Sequence, residues 1–253
     1  MTRRRWIADE VTGDTAALVG EHAAHLARVL RAEVGQEFDI ATGDEIRRGT
    51  ITTISYDRIE FALGTKQYPR LRSKPFDAPK ITLALAIFKF DRMEWALEKC
   101  TEIGVARIVP VIARRSDAHL VAAAVKRHER WVRLVRQAAE QSRRAAPPEV
   151  TAAVKLKDLD GVLGEGPEEE ETQTRVVLAE SLAESEDDKR LADVLPSRSS
   201  EVTLAVGPEG GWADGELSWF YESGWIAASL GSTILRAETA AIVASALAFE
   251  ALR

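Results

Sequence analysis

The sequence predicts an α/β protein: an open, mainly parallel sheet with helices on both faces, following a smaller β-rich unit. Three observations carry this expectation. From residue 81 onward, apolar runs of strand length alternate with longer amphipathic segments, the pattern of repeated strand–helix–strand units. Residues 1–72 instead hold short, closely spaced strand-like runs, as in a compact barrel. Between the two, residues 68–80 carry three prolines and several basic residues with little apolar periodicity, which reads as a linker.

In the first part, residues 16–31 place Leu18, His22, Leu26, Val29 and Leu30 on one helical face, with Gly35 beyond them, so a helix is expected there. Strands are expected at residues 37–41, 46–54 and 58–63, with Thr42-Gly43-Asp44 as the turn between the first two. In the second part, residues 81–87 form a continuous apolar run, as in a strand buried on both faces. Asp91 can cap the helix that follows and Gly104 can end it, with Met93, Leu97, Cys100 and Ile103 on its apolar face. A strand at residues 107–112 and a long helix at 120–144, stopped by Pro147-Pro148, come next. Residues 161–174, rich in Gly, Glu and Pro, suit an exposed loop. Strands at 176–179, 202–206 and 226–230 then alternate with helices at 214–223, closed by Gly224, and 237–252.

The 253 residues are 45% hydrophobic and 29% charged, ordinary for a globular protein. One cysteine, Cys100, excludes an intrachain disulfide, and His22, His25, His119 and His128 sit at no familiar ligand spacing, so no metal is expected. The arginines at the N-terminus are followed by no apolar run, and no stretch is long enough to span a bilayer. A cytoplasmic protein is expected. The net charge of −6 is unevenly spread. Residues 158–190 contain 12 acidic and three basic residues, a local charge of −9, so the remainder carries +3. Its basic clusters permit contacts with nucleic-acid phosphates.

Open α/β sheets bind ligands at the carboxyl ends of their strands, and three loops leave such ends. Gly207-Pro208-Glu209-Gly210-Gly211-Trp212 follows the strand at 202–206. Its glycines allow close backbone approach, but it lacks the Lys-Ser/Thr ending of a phosphate-binding P-loop. Residues 230–240 lead from the last strand into the last helix. Glu238 suits the first helical turn, whereas Arg236, a cation before a helix start, opposes the dipole and calls for a specific partner. Ala179-Glu180-Ser181 gives the weakest signal. Nothing resembles a Ser-His-Asp triad or a paired-carboxylate hydrolase.

Taken in order, these segments resemble the RsmE family of RNA methyltransferases. The resemblance runs through His25-Leu26, Val29-Leu30-Arg31 and Gly35; Lys89 to Arg92; Glu98-Lys99-Cys100-Thr101-Glu102-Ile103-Gly104-Val105; Pro110; and Arg115-Ser116. It continues through Trp131, Ala139-Glu140-Gln141-Ser142-Arg143, Pro147-Pro148 and Gly207-Pro208-Glu209-Gly210-Gly211. It ends on Leu230-Gly231 with Ile234-Leu235-Arg236-Ala237-Glu238-Thr239-Ala240. Phe90, Thr233 and the acidic insertion at 161–174 depart from the family pattern.

The resemblance implies a PUA-like, RNA-binding β-barrel in residues 1–72 and a SPOUT trefoil-knot methyltransferase domain in residues 73–253, assembled as a homodimer. The implied reaction is S-adenosyl-L-methionine-dependent methylation of N3 of a uracil in 16S ribosomal RNA, on free RNA or an assembled 30S particle. Implied cofactor contacts fall on Leu178, Gly207, Glu209, Gly211, Leu230, Gly231, Ile234, Leu235, Thr239 and Ala240. Arg236, Glu238 and Glu209 are the implied catalytic groups. Arg28, Arg31, Lys89, Arg92, Arg115, Gln141, Arg143 and Arg144 are the implied RNA contacts. The alternatives are a SPOUT enzyme acting on another base or a ribose, and a non-catalytic RNA-binding assembly factor.

Overall fold

The computed structural model describes residues 5–43, 45–66, 80–164, 173–179, 189–196 and 201–253. The expected linker up to residue 79, Asp44 of the expected turn, Glu180 and Ser181, and residues 165–172 of the acidic insertion lie outside them. The chain divides into two compact units, Met1–Asp77 with Ala139–Pro147, and Ala78–Ala138 with Pro148–Arg253.

The first unit is built on a six-stranded sheet of β1 (Trp6–Ile7), β2 (Glu10–Thr12), β3 (Thr15–Val19), β4 (Glu37–Ala41), β5 (Ile46–Ile54) and β6 (Arg58–Lys66). The spatial order is β1-β4-β5-β6-β3-β2, antiparallel except for the β1–β4 pair. The helix expected at residues 16–31 is corrected. Residues 15–19 are strand β3, paired with β6 so that Ala16 faces Phe61 and Leu18 faces Ile59. Gly20, at φ 61°, turns the chain into α1 (Glu21–Ala24), which runs into a π-turn at His25–Val29. Leu18 and Leu26 are both buried, but from different elements, and Val29 and Leu30 point to solvent. Trp6, Leu18, Leu26, Ile40, Ile51, Ile59 and Phe61 make the core.

Residues 139–147 belong to this unit: Ala139 packs on Ile7 and Ala41, and the Arg5 N–H donates to the Glu140 carbonyl at 3.2 Å. Among the described residues, Arg31 (φ 52°) and Arg143 (φ 63°) are the non-glycine positions with left-handed backbone. Each ends a helical segment by a wrap-back bond, Ala32 N–H to Leu26 O at 3.2 Å and Arg144 N–H to Ala139 O at 2.9 Å. Glycine usually fills that position, and a side chain there costs about 1 kcal/mol.

The second unit holds a parallel sheet of β7 (Ile81–Ala86), β8 (Arg107–Ile112), β9 (Glu149–Val150), β10 (Val154–Lys155), β11 (Thr174–Leu178), β12 (Val202–Val206) and β13 (Ile226–Ala228). The order is β10-β8-β7-β12-β11-β13, with β9 also on β8. Alternate residues face opposite sides. Ile81, Leu83 and Leu85 enter one core with α2 (Phe90–Ile103), α3 (Ala118–Gln141) and α7 (Ala237–Ala251), joined by Leu191 of α5 (Leu191–Val194). Ala84 and Ala86 enter the other with α4 (Leu159–Leu163) and α6 (Asp214–Glu222). The mixed α/β expectation holds for this unit. Several local expectations change. The long helix expected to reach residue 144 ends at Gln141, and the strand expected to reach 230 ends at Ala228. Lys89, not Asp91, precedes the first residue of α2, leaving Asp91 inside the first turn where its charge still favours the helix dipole. Residues 161–163, expected to start an exposed loop, close α4 because Leu159 is buried beneath it.

Two buried polar groups tie the first core's helices together. Glu94 of α2 accepts from Arg130 Nε and Nη2, both at 2.7 Å, and from Arg127 at 3.1 Å. Arg130 above all holds its carboxyl below the usual range. Cys100 is fully buried and receives Ser245 Oγ–H at 3.6 Å; burial pushes its thiol up to about 12.

Candidate functional site

A cavity of about 550 Å³ opens at the carboxyl ends of three neighbouring strands, β13, β11 and β12. That volume lies within the ~300–1,000 Å³ of small-molecule sites. Two loops wall it.

The first loop leaves β12, every residue of which is buried. The Gly211 N–H donates to the Pro208 carbonyl at 2.8 Å, closing a turn that Gly211 completes at φ 67°. Trp212 then drops into an aromatic cluster, edge-on to Phe220 at 4.9 Å, while Phe220 meets Trp225 at 5.0 Å. Arg115 Nη1 donates to the carbonyls of Gly210 (2.8 Å) and Trp212 (3.1 Å). Beyond the loop, the Glu216 carboxylate takes the N–H groups of Ala213 (2.8 Å) and Arg114 (2.7 Å), which fixes the start of α6.

The second loop leaves β13 and runs to α7. Gly231 sits at φ 117°, where a Cβ would have no neighbour within 4 Å. Ser232, Thr233 and Arg236 are exposed, and Ile234 is 81% exposed although it lines the cavity. The backbone of Arg236 is extended (φ −64°, ψ 151°) and its carbonyl starts α7 by accepting the Ala240 N–H at 2.8 Å. Among the described residues its guanidinium has no hydrogen-bond or ion-pair partner.

Arg92 of α2 links the first loop to the start of α7. Its Nη1 donates to Glu209 at 2.9 Å, and its Nε lies 3.8 Å from Glu238 Oε1. Glu238 is buried, and its Oε2 has no hydrogen-bond partner among the described residues. The same holds for Ser229 Oγ and Trp212 Nε1, both from residues lining the cavity. Buried polar atoms left unpaired cost stability unless something else meets them.

An RNA methyltransferase domain family matches residues 76–248. A ribosomal RNA small subunit methyltransferase E of Mycobacterium bovis is 32% identical over 238 residues, covering 92% of this chain and 85% of that protein. The crystal structure of a ribosomal RNA small subunit methyltransferase E from Neisseria gonorrhoeae, bound to S-adenosyl methionine, is 30% identical with a TM-score of 0.79. It covers 96% of this chain and 95% of that one. The chain belongs to the ribosomal RNA small subunit methyltransferase E family. A Legionella pneumophila methyltransferase in complex with the same cofactor is 28% identical, with a TM-score of 0.78 over 97% of this chain and 96% of that one.

In this chain, the expected cofactor residues Leu178, Gly207, Glu209, Gly211, Leu230, Gly231, Ile234, Leu235 and Ala240 all line the cavity, as does Arg236. Thr239 and Glu238 are not among the lining residues and lie in the first turn of α7. The expected RNA contacts are dispersed. Arg92 and Arg115 line the cavity, where each is engaged with the first loop. Lys89 precedes α2. In the other unit, Arg28 and Arg31 follow α1, Gln141 is the last residue of α3, and Arg143 and Arg144 lie just beyond it. Burial pushes the Arg144 guanidinium down to about 10, which leaves it charged at neutral pH. Sequence reasoning missed Trp212, Ser229 and the loop-clamping role of Arg115. The tryptophan ending the glycine run was the one available signal.

Proposed function

We propose that this protein transfers the methyl group of S-adenosyl-L-methionine to N3 of a uracil in 16S ribosomal RNA. The observation that carries the proposal is the strand-end cavity walled by two glycine loops, with Arg236, unpartnered among the described residues, at its edge, in a chain of the methyltransferase E family. The residues present fit the methyl donor. The cavity has the size of a small-molecule site, Gly211 and Gly231 leave the backbone open to close approach, and Ser229 Oγ and Trp212 Nε1 offer buried polar partners. Backbone groups of Gly207, Gly211, Leu230, Ile234 and Leu235 would hold it, with Leu178 and Ala240 around them.

The donor supplies an electrophilic methyl carbon. The protein must align the acceptor with it and manage the proton on N3. Arg236 stabilises the negative charge that develops on the uracil oxygens. Glu238 or Glu209 takes or orients the proton, with Arg92 holding both carboxylates in place. Because N3 lies on the pairing edge, the target base is unpaired or flipped out.

In this reading residues 1–72 form a PUA-like RNA-binding barrel, and residues 73–253 a SPOUT domain with a trefoil knot, acting as a cytoplasmic homodimer on 16S RNA or the 30S particle. The parallel bridge of Arg190 with Ser229 supports a chain wrapped around the end of β13. Among the described residues, no helix is long and apolar enough to cross a membrane. The test is to incubate the protein with radiolabelled S-adenosylmethionine and unmodified 30S particles, then digest and identify the labelled nucleoside. Label in 3-methyluridine is the expected result. Label in a ribose or another base would replace the N3 assignment, and bound donor without labelled RNA would sink the enzymatic one.

A further inference from the structure

The most exposed aromatic residue described in the first unit serves no packing role. Tyr56 is 81% exposed at the tip of the hairpin between β5 and β6. The tip is nonetheless fixed. The Ser55 N–H (2.8 Å) and Oγ–H (3.0 Å) both donate to the Arg58 carbonyl, and the Gly20 N–H donates to the Asp57 carbonyl at 2.7 Å. The Arg28 guanidinium, itself exposed, lies over the Tyr56 ring at 4.5 Å from its centroid. The segment carrying Arg28 continues through exposed Val29, Leu30 and the left-handed Arg31.

A cation over a ring at an exposed site contributes only about 0.5–1 kcal/mol, too little to explain why a large apolar ring stands in water on a rigid tip. An aromatic face backed by a guanidinium is the surface on which unpaired nucleic-acid bases stack. The exposed Asp57, next in the chain, adds negative charge to the tip, so a neutral base suits it better than a phosphate does.

We propose that Tyr56, backed by Arg28, is a stacking platform for an unpaired base of the RNA substrate, with Arg31 flanking it for phosphate. The proposal rests on the RNA-methyltransferase function above and names a part of the substrate that function would need: a single-stranded nucleotide held by the first unit. Tyr56 is a binding residue in this role and takes no part in methyl transfer.

The test compares the full-length protein with Tyr56→Ala and Tyr56→Phe. Binding of a fluorescein-labelled, unstructured oligoribonucleotide is read by anisotropy, and methyl transfer to 30S particles is read in parallel. At an exposed tip neither substitution threatens the core. Tyr56→Ala is expected to weaken oligonucleotide binding about tenfold and raise the KM for RNA, leaving kcat and S-adenosylmethionine affinity unchanged; Tyr56→Phe retains the ring and binds as wild type. Equal binding by Tyr56→Ala and wild type would overturn the platform while leaving the enzymatic function intact. Wild-type binding that Tyr56→Ala weakens, without methyl transfer by either, would support the platform and remove the methyltransferase function instead.

Discussion

The two loops around the cavity differ in what holds them. The 207–212 loop is anchored at every step: an internal turn, a buried tryptophan and an arginine clasping two carbonyls. The 230–236 loop has a free left-handed glycine, an isoleucine turned to solvent and an arginine with no partner among the described residues. One wall is therefore set by the protein itself, and the other is left for ligands to complete. Groups that the fold does not satisfy are where binding energy can be spent, so the chemistry should sit on the looser wall and the fold's stability on the tighter one.

The largest test of that division is Trp212→Ala. Emptying an aromatic cluster should cost about 3–5 kcal/mol, read as a lower denaturation midpoint, with donor affinity falling as well. Arg236→Ala should do the reverse. Denaturation and donor binding by calorimetry stay at wild-type values, while transfer to RNA drops about 10²–10³-fold, the size expected when a group stabilising developing charge is removed. A stability loss from Arg236→Ala, or none from Trp212→Ala, would break the contrast. Saturating S-adenosylmethionine at about 100 times its Kd should add about 2.7 kcal/mol of stability. Hydrogen exchange should then slow more in residues 230–236 than in 207–212; equal slowing would mean both walls are assembled by the ligand. Arg115→Ala should cost about 1.5 kcal/mol and raise exchange at 210–212 alone. The smallest effect belongs to a control away from both loops. Glu94→Gln should lower stability by about 1 kcal/mol near neutral pH without changing donor affinity. Because arginines depress the Glu94 carboxyl, its contribution is present above the ordinary glutamate range and disappears as pH falls through its lowered folded value, so the variant and wild type should converge in acid.

The same contrast decides how much was legible in the amino-acid order. Strands β7, β8 and β12 stand out as apolar runs because both faces of a parallel sheet are covered. The two glycine loops stand out because they follow such runs. Arg236 stood out from its place before α7, where a cation opposes the dipole, since local helix electrostatics need no knowledge of the fold. What failed depended on distant partners. Residues 15–19 look helical with 22 and 26 by spacing alone, and only pairing with β6 makes them a strand. Arg115 looks like a surface cation until Gly210 and Trp212 arrive beside it from nearly a hundred residues away. Tyr56 carried no sequence signal, because exposure at a hairpin tip has no periodicity.

The burial of the lone cysteine, on α2, has a practical consequence. Shielded from water and held in its protonated form, Cys100 should ignore maleimides and other alkylating reagents. A cysteine introduced at Ile234 or Tyr56 would then be the one reactive thiol such reagents find, and a dye attached there would report separately on each unit without any background mutation.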